Sequence, residues 1–193
     1  MILTVDIGNT RIKGAVFEQY TLVEFFVFEV EELRKKIENI LKKYPNLKHL
    51  VVSSVGNLEK ELFLAFESKL KVHFVSHKDT FPFINKYATP TTLGIDRMVL
   101  AAGATLMHPN QNRLIIDAGT CITYDFVNSE DQYLGGAISP GIKIRYKSLN
   151  NYTSKLPLLS LSEEFDIIGN STKSAIHSGV INGVLFEIEG FIS

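Results

Sequence analysis

The sequence predicts an α/β protein built as two similar halves, each with strands and helices, and three observations lead there. Short apolar blocks give way to apolar residues spaced at three and four, which reads as βββαβαβ over the first half. A strand, turn, strand, strand order returns from Arg113 onward. An Asp-x-Gly turn also recurs, as Asp6-Ile7-Gly8-Asn9-Thr10 and as Asp117-Ala118-Gly119-Thr120-Cys121, each time directly after an apolar strand.

The elements follow from local pattern. Ile2 to Val5 and Arg11 to Glu18, split by Asp6, Gly8 and Asn9, read as a hairpin, and Thr21 to Glu29 as a third strand. Val30, Leu33, Ile37, Ile40, Leu41 and Tyr44 recur at helical spacing until Pro45 and Asn46 stop them. His49 to Val55 reads as a buried strand, Leu58 to Leu70 as a second amphipathic helix and Val72 to Val75 as another strand. Ser76 to Leu93, with Pro82 and Pro90, has no sustained period and is expected to connect the halves. Ile95 to His108 predicts a helix ending before Pro109. Arg113 to Asp117, Ile122 to Val127 and Gln132 to Leu134 predict strands, and Ser139 to Lys147 and Thr172 to Ile192 predict helices.

Composition narrows the function classes. The 193 residues carry Lys+Arg 20 against Asp+Glu 21, so no basic field exists to gather nucleic acid or anionic lipid. With 45% hydrophobic and 21% charged residues, the chain has the makings of a sizeable core. The one cysteine, Cys121, forms no internal disulfide, which fits a reducing cytoplasm, and it is expected to be a small packed residue. No unbroken apolar run approaches a membrane span, and Asp6 lies where a secretory signal would be apolar.

A strand ending in Asp-x-Gly and followed by Asn or Thr offers bent backbone, free amides and hydroxyls, which suit phosphate oxygens. A carboxylate beside phosphate calls for a cation between them, so Asp6 implies Mg²⁺ or another metal, and Lys13 adds a positive charge. The bland alternative is an ordinary Asx-turn, and recurrence in matching context favours the phosphate reading. No GxxxxGK[ST] and no strand-linked GxGxxG occurs, which removes the P-loop and dinucleotide folds. In the connection, Asp96 suits a proton acceptor and Arg97 a carboxylate clamp; alternatively Asp96 is a first-turn helix charge and Arg97 a surface residue. Gly135, Gly136, Pro140 and Gly141 read as a strand-to-helix turn or as backbone approaching a ligand. His49, His73, His77, His108 and His177 lack metal-ligand spacing and read as structural or solvated.

Taken together, DIGNTRIK from Asp6 to Lys13, SSV from Ser53 to Val55, Tyr87 and Pro90 leading into GIDR from Gly94 to Arg97, DAGTCITYD from Asp117 to Asp125, GGAISPG from Gly135 to Gly141 and GNSTKSAIHSG from Gly169 to Gly179 carry a resemblance. In that order they resemble the type III pantothenate kinases of the actin-like, sugar kinase and Hsp70 ATPase superfamily. The resemblance implies two actin-like ATPase (ribonuclease H-like) domains, at 1–93 and 94–193, with mixed five-stranded sheets and an active-site cleft between them. Family members continue through another strand, a Gly-Gly turn and further helix, so the second domain is expected to be short at its C-terminus.

The resemblance further implies transfer of the ATP γ-phosphoryl group to the primary hydroxyl of pantothenate, giving 4'-phosphopantothenate in the first step of coenzyme A synthesis. Asp6, Ile7, Gly8, Asn9, Thr10, Arg11, Ile12 and Lys13 match the positions that hold ATP phosphates, with Asp6 favouring Mg²⁺, and Thr120 matches a further ATP contact. Asp96 matches the proton acceptor, and Tyr87, Gly94, Ile95, Asp96, Arg97 and Thr172 match pantothenate contacts. Asp117 matches a site for a monovalent cation, K⁺ or NH₄⁺. A cytoplasmic homodimer with part of the substrate pocket built across its interface is implied too. The rival expectations are a non-catalytic ligand-binding or regulatory member of the same fold, and a kinase for another small hydroxylated substrate.

Overall fold

Alternation along the first strand decides which way the first sheet faces. In β1 (Ile2–Ile7), Leu3, Val5 and Ile7 are buried in the main hydrophobic cluster, while Thr4 and Asp6 point to the other face. The computed structural model describes residues 1–8, 11–54, 60–161 and 166–193. Asn9, Thr10, Val55 and the expected helix start at Leu58 lie outside the described residues. The chain divides into two compact units, Met1–Leu106 and Met107–Ser193.

In the first unit, β2 (Ile12–Glu18) and β3 (Thr21–Phe28) continue from β1 as an antiparallel meander. After α1 (Leu33–Lys43), β4 (His49–Ser54) pairs parallel to β1 on its other side, and β5 (Lys71–Phe74) pairs parallel to β4. The order β3-β2-β1-β4-β5 is one of the mixed five-stranded sheets that the resemblance implied, whereas the other sheet has four strands among the described residues. Leu33, Ile37 and Ile40 put one stripe of α1 into the same cluster, with Phe63 of α2 (Lys60–Leu64) and Phe66 beyond it. Arg34, Lys35, Lys42 and Lys43 of α1 are exposed, Lys43 meeting Glu24 at 3.0 Å. The connection that follows holds a two-residue strand, β6 (Ile84–Asn85), and a 3-10 turn at Pro90–Thr92 before α3 (Ile95–Met107).

The second unit opens with an antiparallel meander of β7 (Arg113–Ala118), β8 (Cys121–Val127) and β9 (Gln132–Pro140). Several boundaries differ from the sequence expectation, α2 ending at Leu64 instead of Leu70 among them. Strand β9 does not stop at Leu134, because β8 runs back to Cys121 and its backbone needs partners as far as Pro140. The next helix, α4 (Ile142–Asn151), therefore starts three residues later than expected. Helix α5 (Thr172–Ile192) begins at a capping box: Ser171 Oγ accepts from the Ser174 N–H, and Ser174 Oγ accepts from the Ser171 N–H. Its buried face packs Ile176, Val180 and Ile181 with Tyr146, and Val184 with Ile122 and Tyr124. At 21 residues and a mean hydropathy of 1.2, α5 is long and apolar enough to cross a bilayer, contrary to the expectation from unbroken runs; its polar residues are scattered rather than absent. Buried His177, Ser178 and Asn182 in its middle belong to a core helix.

Candidate active site

The first Asp-x-Gly turn is set by strand pairing. Asp6 stands between Lys13 on β2 and Ser53 on β4, as the Cα partner of each, on the face turned away from the core. The turn closes through the Gly8 N–H, which donates to the Arg11 carbonyl at 3.2 Å. Ile7 and Ile12 have buried side chains in the core, which leaves only their backbone for binding, whereas Arg11 and Lys13 are exposed. Asn9 and Thr10 lie outside the described residues. Ser53, a motif residue with no role assigned from the sequence, is 6% exposed, and its Oγ has no hydrogen-bond partner among the described residues.

The second turn repeats this arrangement. Asp117 pairs in register with Thr123, whose Oγ1 is likewise buried without a partner among the described residues. The Gly119 N–H donates to the Cys121 carbonyl at 2.9 Å, leaving Thr120 exposed at the bend. Cys121 is exposed, not packed as expected, because it opens β8 at the bend itself. The N-terminus of α4 abuts this turn: the Gly141 N–H donates to the Thr120 carbonyl at 3.1 Å, and a Cβ at Gly141 would meet the Gly119 and Thr120 carbonyl oxygens at 2.4 Å. A glycine there lets a helix N-terminus approach Thr120, a setting that favours anions. What Gly141 approaches in the structure is the backbone of the second turn, at a junction of strand and helix.

Asp96 lies in the first turn of α3, where it is half-buried and its Oδ1 accepts from the Arg97 N–H at 2.8 Å. Gly94 leaves room for it: a Cβ at that position would meet Asp96 Oδ1 at 2.4 Å. Arg97 is 6% exposed, which overturns the alternative of a surface residue; a buried guanidinium needs partners that a solvated one does not. Ile95 is buried, and Tyr87, half-buried, donates its N–H to Asn85 Oδ1 at 2.9 Å. Asp6, Lys13, Tyr87 and Gly94 to Arg97 all belong to the first unit, Asp117, Thr120 and Thr172 to the second.

Thr172 is exposed at the start of α5 and lines a concavity of about 650 Å³ between α4 and α5, together with Arg145, Ser148 and Leu149. Arg145 fixes one wall, donating to the Pro140 carbonyl, Ser139 Oγ and Glu187. Burial pushes the Glu187 carboxyl up, but hydrogen bonds from Arg145, Ser139 and Tyr124 outweigh it and hold the group below its ordinary value. The Tyr124 hydroxyl is pushed up to about 12, first by burial and then by its bond to Glu187. The sequence pointed to none of this network, since its members lie far apart in the chain.

The donor set suits hard cations. Each turn offers a carboxylate with an unpartnered buried hydroxyl on the neighbouring strand, all oxygen. Among the described residues no three His, Cys, Asp or Glu gather into a metal-binding group. A single carboxylate, as at Asp6, fits a cation that arrives with phosphate and water ligands of its own, rather than a dedicated protein cage.

Two turns of this kind, each closing an apolar strand, suit a nucleotide-using phosphotransferase that has no P-loop. Comparison gives the particular family: the chain belongs to the type III pantothenate kinase family, which it matches over residues 2–193. It is 66% identical over 192 residues to the type III pantothenate kinase of Flavobacterium johnsoniae, covering all of this chain and 79% of that protein. Identity to the Flavobacterium psychrophilum type III pantothenate kinase is 58%, covering all of this chain and 80% of that one. The crystal structure of a conserved Baf family protein from Campylobacter jejuni shares the fold, with a TM-score of 0.64 at 23% identity over 97% of this chain and 78% of that chain.

Proposed function

We propose that the protein phosphorylates the primary hydroxyl of pantothenate with ATP, opening coenzyme A synthesis. The observation that carries this reading is the family match across residues 2–193, with an Asp96 carboxylate held in a glycine-cleared space at the head of α3. Phosphoryl transfer asks for alignment and charge neutralisation more than for covalent help. The Asp6 turn with Lys13, and Thr120 with the α4 N-terminus, are the groups that bind the ATP phosphates. Arg97 and Tyr87 hold pantothenate, the guanidinium on its carboxylate, with Gly94, Ile95 and Thr172 completing the contacts. Asp96 orients the substrate hydroxyl and accepts its proton as the bond to phosphorus forms. Mg²⁺ at Asp6 and a monovalent cation, K⁺ or NH₄⁺, at Asp117 supply the positive charge that offsets the phosphates. We further assign the protein to the cytoplasm, as a homodimer whose second subunit helps to complete the pantothenate pocket.

The test is steady-state ADP release from purified protein, with and without pantothenate, in Mg²⁺ and with K⁺, NH₄⁺ or Na⁺ compared. The expected result is pantothenate-dependent turnover that rises with K⁺ or NH₄⁺. Asp96→Asn is expected to lower kcat by about 10² to 10⁴ while leaving ATP binding intact. Turnover indifferent to pantothenate would refute the substrate, and undiminished kcat in the variant would remove Asp96 from the mechanism.

A further inference from the structure

His77 follows the last strand of the first sheet and sits at one end of the connection that carries Tyr87 and delivers Asp96. Its Nε2 lies 2.7 Å from the Leu93 carbonyl oxygen, sixteen residues on, a distance at which the ring N–H donates and the carbonyl accepts. That carbonyl belongs to a residue only 2% exposed, one position before Gly94. It also lies just outside the helix ladder: the first bond of α3 runs from the Met98 N–H to the Gly94 carbonyl. Without His77 a buried carbonyl loses its donor, an expensive condition at a helix entrance.

The other end of the tether is firm. The Val75 N–H donates to the Val52 carbonyl at 2.8 Å, extending the pairing of β5 with β4, and β4 pairs directly with β1, where Asp6 stands. Just beyond, Asp79 accepts from the Ser76 N–H at 2.8 Å and meets His73 Nε2 at 3.0 Å, pinning the backbone on both sides of His77. The chain thus leaves the sheet through a fixed corner, makes a loop of about fifteen residues, and meets the His77 ring again at the Leu93 carbonyl.

We infer that His77 is a positioning residue: its bond to the Leu93 carbonyl fixes the Tyr87 loop and the Gly94 to Arg97 turn to the sheet that bears Asp6. This rests on the proposed kinase reading and deepens it, because the group so held is the pantothenate side of the site. Nothing in the spacing of the five histidines pointed to it. The signal lies only in the tertiary contact.

The experiment compares wild type with His77→Ala, His77→Gln and His77→Asn. The Gln amide nitrogen reaches about as far as Nε2, whereas that of Asn falls short of it. His77→Ala and His77→Asn are expected to raise KM for pantothenate about tenfold, the size of effect that loss of one buried hydrogen bond produces. ATP affinity by calorimetry should stay within about twofold, and His77→Gln should return KM to near the wild-type value. Amide hydrogen exchange adds a readout free of turnover: residues 84–98 should exchange faster in His77→Ala than in wild type or His77→Gln, with β1 and β4 unchanged. A His77→Ala protein that merely folds less well would lose kcat and stability with KM unmoved. That result, or a Gln variant no better than Ala, would overturn the role of His77. A wild-type protein with no pantothenate-dependent turnover would instead overturn the kinase reading and the positioning role with it.

Discussion

Replacing Gly94 with alanine tests how closely turnover depends on the place of one carboxylate. The new Cβ would lie 2.4 Å from Asp96 Oδ1, against an ordinary carbon–oxygen contact of about 3.4 Å, so the oxygen must retreat by about 1 Å. The next nearest atoms, Asp96 Cγ at 3.5 Å and Arg97 Cδ at 3.8 Å, are already at contact distance, so the strain falls on the carboxylate and spares the backbone. Folding should therefore change by no more than about 1 kcal/mol, the ordinary range for glycine to alanine where φ permits it. A 1 Å displacement of a catalytic group costs about 10² in rate, so Gly94→Ala should lower kcat by about that factor with saturating ATP and pantothenate. The assay is ADP release beside urea unfolding of the same preparation. An unchanged kcat in a folded variant would refute the claim that the Asp96 position governs turnover, and an unfolded variant would refute the claim that the space is local.

Two further outcomes are expected. Gly141→Ala puts a Cβ 2.4 Å from two backbone oxygens of the second turn, so α4 must back away from Thr120; urea unfolding should register a loss of about 1 to 3 kcal/mol, and calorimetry a weaker ATP affinity. Glu187, held below its ordinary 4.5 in the folded protein, contributes stability that is present above that value and lost as pH falls through the folded value; the acid loss that wild type shows below about pH 5 should be shallower in Glu187→Gln, read by thermal melts across pH.

The legible part of this protein was the part written locally. Alternation along Ile2–Ile7 and the helical spacing of Leu33, Ile37 and Ile40 depend on neighbours within a few residues, and both were readable before any fold. The family motifs also lay in order along the chain. Boundaries were less legible where a partner strand set them, as when β9 ran on to Pro140 to satisfy β8. Arg97 was readable as a motif residue, but its burial was not, since burial is a property of what packs around it.

By itself the sequence determined the α/β class, the duplicated Asp-x-Gly turns and the family, because these rest on periodicity and on residues adjacent in the chain. The tertiary structure alone decided that Ser53 stands beside Asp6 and Thr123 beside Asp117, that Gly141 brings a helix N-terminus to Thr120, and that His77 holds the Leu93 carbonyl. Strand register and side-chain reach join residues far apart in the chain, and no local period encodes which distant group will arrive within 3 Å of which.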